Sequence, residues 1–248
     1  MTKQRSYQRL VNDIINLKIP FRVEILDYVS YNPFVYPIIA IRHITKTAKK
    51  NCVILAGHHG DETFVIHVLL KWIQQIDKKL LNTFNFNIIP VINPSGYETG
   101  TRLTAKNQDT NNAASFVKNS SVKELAILFD NLPSTVDLMI DFHGDTDRKF
   151  SYAYERKIDT LPSLAGIALQ EVDSILPYDK SKTIYRSKVE KGVITTPKND
   201  EGIEAVMETM GTESTITIEL PGKFDSQRRT EGGIAILNSI FYHYKEIQ

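Results

Sequence analysis

Two histidines and two carboxylates lie close together directly after the apolar run 52–57: His58, His59, Asp61 and Glu62. A histidine and a carboxylate three positions apart at a strand-to-helix turn can reach one metal ion, and both ligand types suit zinc. Two pairings compete, His59 with Glu62 and His58 with Asp61. We prefer the first, because Glu62 falls on the first helical turn, whose side chains face back toward the strand end. The alternative to a metal site is that the carboxylate only caps the N-terminus of the helix and the histidines are exposed to solvent.

A third ligand has to come from another strand end, because a catalytic zinc site uses three protein ligands and keeps one position open. His143 follows the strongly apolar segment 136–142 and is the candidate. Asp141 lies two residues earlier, and strand alternation puts it on the same face. It could orient an imidazole as an outer-shell carboxylate, although a salt bridge would explain it equally well.

A carboxylate also interrupts the β-branched run 215–220, where Glu219 lies near the end of a predicted strand. Beside a metal site, a glutamate can accept a proton from water and pass it to a leaving nitrogen. An edge-strand surface charge is the competing interpretation. In the segment 93–112, Arg102 could polarise a substrate carbonyl or hold an oxyanion, and Asp109 and Asn111 would line the same cleft.

The elements that position these residues alternate along the chain. Predicted strands span residues 21–29, 35–44, 51–56, 84–92, 136–142 and 215–220; predicted helices span 6–17, 62–76, 164–175 and 230–245, and one more begins with a capping box at Ser121. This pattern predicts a single α/β domain over residues 1–248, with a mixed, mostly parallel central sheet flanked by helices.

The long stretches 93–120 and 178–210 resist assignment, and such loops are usually functional or mobile. Ligands of such sheets bind beyond the carboxyl ends of the strands, where the candidate residues fall.

Composition excludes several classes of function. The 248 residues carry a formal net charge of +1 with scattered basic residues, so we expect no nucleic-acid partner. No apolar run reaches the ~20 residues of a membrane span, and the polar start lacks signal-peptide features. The single cysteine, Cys52, is predicted to be a packed core residue. A lone cysteine without a disulfide partner is typical of a protein in a reducing compartment. A cytoplasmic protein is expected.

In order and spacing, these segments resemble the zinc carboxypeptidase family, the carboxypeptidase A-like funnelins, over about residues 50–245. The family's Gly-x-His-x-x-Glu element is matched by residues 57–62 with one extra residue, and its Asn-Pro-Asp-Gly by residues 93–96. Its arginine, followed seven residues later by Asp-x-Asn-Arg, is matched by Arg102 and residues 109–112. Its strand-end histidine and late Thr-x-Glu are matched by His143 and residues 217–219. The length and the HGDE form most resemble the small cytosolic branch, which includes murein-peptide amidases and neighbours the succinylglutamate desuccinylases and aspartoacylases.

The resemblance implies specific roles. His59, Glu62 and His143 would hold Zn²⁺, Glu219 would be the general base, and Arg102 would polarise the carbonyl. Asn111 would contact substrate, as would Asn112, which stands where the family has an arginine that grips a terminal carboxylate. An amide cannot make that bidentate ion pair. Asn107 replaces a glycine, Ser95 replaces an aspartate, and the family's mobile tyrosine is not assigned, although Tyr185 lies in the corresponding loop.

The sequence therefore predicts a zinc metallopeptidase or amidohydrolase that acts on small or unusual peptides. The same metal site could instead serve an N-acyl-amino-acid deacylase of the desuccinylase and aspartoacylase kind. A third hypothesis, from another functional class, is a catalytically inactive protein that binds a metal or a peptide.

Overall fold

The computed structural model describes residues 5–111, 121–195 and 202–247. The strands are β1 Arg22–Tyr31, β2 Phe34–His43, β3 Lys50–Ala56, β4 Phe84–Ile89, β5 Leu138–Asp145, β6 Tyr152–Lys157, β7 Thr183–Ile184, β8 Ser187–Glu190, β9 Val193–Thr195 and β10 Ser214–Pro221. The helices are α1 Tyr7–Ile15, α2 Thr63–Gln74, α3 Lys78–Thr83, α4 Pro94–Thr99, α5 Lys123–Asp130, α6 Leu164–Val172, α7 Ile203–Thr209 and α8 Ser226–Glu246. Within these ranges, no helix is both long enough and apolar enough to cross a membrane.

All the strands form one sheet in the order β1-β2-β4-β3-β5-β10-β6-β9-β8-β7. The four central strands β4, β3, β5 and β10 run parallel, whereas β1, β2 and β6 join the sheet antiparallel to their inner neighbours. The predicted mixed α/β sheet flanked by helices is confirmed, and its parallel section lies at the centre. Strands β3 and β5 are buried along nearly their whole length, as is typical of parallel strands covered on both faces.

Helices cover both faces of this sheet. Helix α8 packs on α2 and α6 on one face, and Gly233 makes that contact close: a Cβ there would lie 2.8 Å from Val68 and 3.0 Å from Leu220. On the opposite face, α7 packs against β10, where Thr217 hydrogen-bonds Glu204. Along β10 the two faces therefore differ: Leu220 packs in the apolar core with α8, whereas Thr217 presents a polar side chain to α7.

An aromatic cluster fixes α2 and α8 on the apolar face. The rings of Trp72 and Phe241 stack at 5.4 Å, and Phe84 and Phe86 meet Phe241 at 5.5 and 5.1 Å. All four side chains are fully buried, and such rings contribute large apolar areas to the hydrophobic effect. The indole Nε1 of Trp72 donates to Asn238 at 2.9 Å, so its polar group is satisfied inside the core.

Sequence patterning located most elements to within a few residues, with three differences. The prediction of a capping box at Ser121 is wrong, because the helix begins at Lys123 with Val122 as its N-cap. The Ser121 hydroxyl instead accepts a hydrogen bond from Gln108 at 3.0 Å. The described parts of the two unassigned stretches contain α4, the strands β7 to β9 and α7. The short elements α3 and β6 were not predicted.

Candidate metal centre and active site

The carboxyl ends of the central strands bring the candidate residues into one cleft. In the sheet register, Glu219 of β10 lies between His143 of β5 and Tyr152 of β6. One step down the same face, Thr217 lies between Asp141 and Tyr154. Alternation along each strand thus aligns two polar rows on the face opposite α8.

His59, Glu62 and His143 converge at the ends of β3 and β5, with metal-ligand spacing. The Nδ1 atom of His59 lies 2.6 Å from Glu62 Oε1, and the Nδ1 atom of His143 lies 3.1 Å from Glu62 Oε2. The backbone N–H of Gly144 also donates to Glu62 Oε2 at 2.9 Å. All three side chains are nearly buried, and Glu62 is the N-cap of α2 rather than part of its first turn.

The remaining nitrogen of each imidazole is held by a second carboxylate. His59 Nε2 lies 3.2 Å from Asp109 Oδ1, and His143 Nε2 lies 3.1 Å from Asp141 Oδ2. If each Nε2 donates its hydrogen, each neutral ring presents an Nδ1 lone pair toward the Glu62 carboxylate. Three electron-pair donors that face one another require a cation or extra protons between them. A carboxylate behind each histidine is also the usual outer arrangement of zinc sites, so these residues fit a bound divalent ion.

The electrostatics of the cluster favour a protonated His143 beside an ionised Glu62, as their pKa values indicate. Burial alone would lower the pKa of His143, but the carboxylates of Asp141 and Glu62 raise it well above its ordinary value. Burial alone would raise the pKa of Glu62, but His143 and His59 hold it well below its ordinary value. The cluster therefore prefers a positive charge next to Glu62, whether that charge is a proton or a metal ion.

His58, from the competing pairing, occupies a different environment. Its side chain is fully buried, and its Nδ1 lies 3.2 Å from the hydroxyl of Thr110, which itself donates to the carbonyl oxygen of His58. Its Nε2 is 3.4 Å from Asp141 Oδ2, so His58, Asp141 and His143 form a second group with metal-ligand spacing. Burial lowers the pKa of His58 to about 4. Neither His58 nor Asp141 lines the cleft, so this second group offers no open position to a substrate.

Glu219 is only partly exposed and faces the cleft beside the histidine cluster. Burial, together with the nearby carboxylates of Glu62 and Asp145, outweighs the opposing effect of His143 and raises the pKa of Glu219 to about 8. A carboxyl group with a pKa near neutrality can both accept and return a proton.

Of the predicted substrate-binding residues, Arg102 and Asn111 line the cleft. The half-exposed Arg102 guanidinium lies 3.3 Å from Asp109 Oδ2 and 3.8 Å from Glu62 Oε1. The backbone N–H of Asn111 donates to Asp109 Oδ1 at 3.0 Å. Asn112 lies outside the described residues. Asn107 adopts a left-handed φ of 59°, the conformation for which glycine is otherwise favoured.

The cleft has a volume of about 610 Å³ and includes residues that the sequence patterns missed. Tyr152 and Tyr185 both donate to Asp145 Oδ2, at 2.9 and 2.6 Å, and Glu204 lines the cleft from α7. The alternation Tyr152, Tyr154 in a short segment was the available signal for β6. Tyr185 precedes Arg186 in a turn in which both have positive φ, a strained conformation for such residues.

Comparison with known proteins agrees with this geometry. The profile of the succinylglutamate desuccinylase/aspartoacylase catalytic domain matches residues 48–183. None of the curated proteins is significantly similar in sequence.

Solved structures share the fold at low sequence identity. A crystal structure of a candidate metallopeptidase from Shewanella amazonensis SB2B has a TM-score of 0.79 and 19% identity, over 94% of this chain and 90% of that chain. A metallo-carboxypeptidase from Pseudomonas aeruginosa, in complex with (2-guanidinoethylmercapto)succinic acid, has a TM-score of 0.72 and 18% identity, over 98% and 69%. A succinylglutamate desuccinylase from Silicibacter sp. TM1040 has a TM-score of 0.62 and 17% identity, over 92% and 71%.

Proposed function

Because this chain belongs to the succinylglutamate desuccinylase/aspartoacylase catalytic-domain family, we propose that it is a zinc-dependent hydrolase of amide bonds in small or unusual peptides. We further propose that residues 1–248 form one catalytic domain. One observation carries the proposal: the Nδ1 atoms of His59 and His143 meet the Glu62 carboxylate, while a carboxylate holds each opposite ring nitrogen.

His59, Glu62 and His143 would hold the metal. Two imidazoles and one carboxylate form a three-ligand set typical of catalytic zinc, although other divalent transition metals accept the same donors. When bound, the ion supplies Lewis-acid activation of water and of the scissile carbonyl. Asp109 and Asp141 would fix the two rings, so that both Nδ1 atoms stay directed at the ion.

Glu219 would move the proton. Its carboxylate lies beside the cluster on the next strand, where it can accept a proton from the attacking water and deliver it to the leaving nitrogen. Both transfers are needed, because an amide nitrogen leaves poorly as an anion. Arg102 would hold the carbonyl oxygen as negative charge develops on it, and Asn111, with Asn112 beside it in sequence, would contact the rest of the substrate.

Deacylation of N-acyl amino acids is a second candidate, favoured by the family match itself and by the fold shared with a succinylglutamate desuccinylase. The complex of the Pseudomonas aeruginosa enzyme does not separate the two candidates, because its ligand carries a guanidino group as well as a succinic acid. Both candidates use the same metal ligands and the same general base, and they differ in the group beyond the amide bond.

A paired assay would test the proposal. Metal-free and zinc-reconstituted protein would be incubated with a panel of blocked dipeptides, γ-linked and D-residue peptides, N-succinylglutamate and N-acetylaspartate, and the released amine would be measured. Zinc-dependent turnover of peptides is expected, and turnover confined to the acyl amino acids would assign the deacylase instead. Stoichiometric zinc without turnover of any member would favour an inactive binding protein.

A further inference from the structure

We propose that Arg5 is a positioning residue of the metal centre, because its guanidinium holds the turn between His59 and Glu62 in the geometry that binds the ion. This inference rests on the proposed metal-dependent hydrolase and adds one residue to the support of its ligands. Arg5 lies just before α1, 55 positions from Gly60 along the chain, and it does not line the cleft.

Arg5 reaches the backbone of the turn that supplies two of the three proposed ligands. Its Nη1 atom donates to the carbonyl oxygen of Gly60 at 2.9 Å. Gly60 is buried and lies between His59 and Glu62. A buried carbonyl group requires a donor, and a charged donor makes a stronger hydrogen bond than a neutral one. A rotation of the peptide after Gly60 would move both ligands, so the bond from Arg5 restrains them together.

The turn cannot be braced by a side chain at position 60. A Cβ there would lie 1.9 Å from the backbone carbon of Gly96, so the two backbones are in direct contact. The guanidinium therefore supplies from outside a restraint that residue 60 cannot supply itself.

The guanidinium also lies against the segment 101–109, which carries Arg102 and Asp109. A Cβ at Gly100 would lie 2.6 Å from Arg5 Nη1. The backbone N–H of Gly60 donates to the carbonyl oxygen of Thr101 at 3.0 Å. Arg5 is thus packed where the metal turn meets the start of the segment that holds the Nε2 side of His59.

The chain next to Arg5 is fixed on the same part of the protein. The backbone N–H of Tyr7 donates to Glu98 Oε2 at 2.5 Å, and its hydroxyl donates to the carbonyl oxygen of Pro37 at 2.7 Å. The Tyr7 ring is buried and packs edge-on against Tyr97 at 5.9 Å. Glu98 and Tyr97 belong to α4, which ends at Gly100. With the backbone held in this way, the bond to Gly60 costs mainly the rotamer freedom of one side chain.

The guanidinium acts on a bound ion in two opposing ways. Its hydrogen bond orders the turn and favours binding, whereas its positive charge repels the ion. Arg5 is partly exposed, so solvent and salt screen the repulsion. The ordering effect acts directly on the ligands, and loss of an outer partner of a ligand typically lowers metal affinity about 10–100-fold. We therefore expect the ordering effect to dominate.

Metal binding by Arg5 variants tests this role. The zinc Kd of wild type, Arg5→Met and Arg5→Lys would be measured by chelator competition, at a temperature at which circular dichroism shows all three folded. Arg5→Met should raise the Kd at least about tenfold. Arg5→Lys keeps the charge and a donor on a stem almost as long, so it should restore most of the affinity.

Cobalt substitution separates positioning from general stabilisation. The visible absorption of bound Co²⁺ reports its coordination geometry, so the spectrum should change in Arg5→Met and return toward wild type in Arg5→Lys. A purely structural role would lower the Tm of the metal-free protein and leave the zinc Kd and the cobalt spectrum unchanged. That result, or tighter zinc binding by Arg5→Met, would overturn the proposal.

Arg9→Met is the matched control. Arg9 is exposed on α1, and its replacement removes the same charge from the same part of the chain. This variant should keep the wild-type zinc Kd and cobalt spectrum. Equal weakening in Arg5→Met and Arg9→Met would indicate a general effect of charge or of α1, and it would refute a specific role of Arg5.

The same measurements distinguish failure of this inference from failure of the proposed function. Weaker zinc binding by Arg5→Met that Arg5→Lys restores, without turnover of any amide by zinc-loaded wild type, would leave this inference standing and overturn the hydrolase. Zinc-dependent turnover by wild type, together with a wild-type zinc Kd in Arg5→Met, would overturn this inference and leave the hydrolase standing.

Discussion

Zinc affinity should depend on His59 and not on the adjacent His58. His59 Nδ1 lies 2.6 Å from Glu62 and its ring lines the cleft, whereas His58 is fully buried with Nδ1 bound to Thr110. Removal of an outer-shell partner of a zinc ligand typically weakens binding about 10–100-fold. Loss of the His59 ligand itself should therefore raise the zinc Kd by at least about 100-fold.

The expected thermal shifts follow from this factor. At a free zinc concentration of about 100 times the wild-type Kd, binding stabilises the folded protein by about 2.7 kcal/mol. For a chain of this size, that corresponds to a rise in Tm of about 5–11 °C. If His59→Ala binds about 100-fold more weakly, the same zinc concentration stabilises it by about 0.4 kcal/mol, or about 1–2 °C.

Differential scanning fluorimetry with and without zinc measures these shifts, and elemental analysis checks the stoichiometry. His58→Ala should lower the Tm of the zinc-free protein, because it opens a cavity next to Asp141, yet it should retain the full zinc shift. If His58→Ala loses the shift and His59→Ala keeps it, the ion binds at His58, Asp141 and His143 instead, and the proposed ligand set is wrong.

Two further predictions concern the support of the site. Asp109→Asn and Asp141→Asn should each weaken zinc binding about 10–100-fold in chelator competition, since both carboxylates hold the Nε2 side of a ligand ring; unchanged affinity in both would refute the outer-shell role. Gly60→Ala should destabilise the protein by about 1–3 kcal/mol or more in urea unfolding, because its Cβ would lie 1.9 Å from the backbone carbon of Gly96. An unchanged midpoint would show that the turn after His59 relaxes freely.

Sequence patterns could predict the location of the candidate site because its residues follow apolar strands. The runs before His59 and His143 are buried on both faces, so their polar ends stand out from the surrounding residues. Alternation along β5 also predicted that Asp141 and His143 share a face, and their side chains do meet at 3.1 Å. Spacing alone could not decide whether His58 or His59 faces Glu62, because this depends on how the chain turns from β3 into α2.

Glu204 and Tyr152 could not be predicted because their positions depend on tertiary packing. Helix α7 has seven residues and lies in a stretch with weak periodicity, and its contact with Thr217 joins residues thirteen positions apart. Strand β6 has six residues and pairs antiparallel with β10, which the pattern of alternating strands and helices did not suggest. Local patterns also misplaced the cap of α5, where the Ser121 hydroxyl bonds Gln108 instead.

The most direct test of the proposed mechanism is the turnover of Glu219→Gln at matched zinc content. Glutamine is nearly isosteric with glutamate but cannot accept a proton at neutral pH. Since Glu219 lies beside His143 and is not among the proposed ligands, the variant should bind zinc like wild type. Its kcat/KM should fall by at least about 10²–10⁴-fold, the usual contribution of a general base. A fully loaded variant that retains wild-type kcat/KM on the same substrate would contradict proton transfer by Glu219.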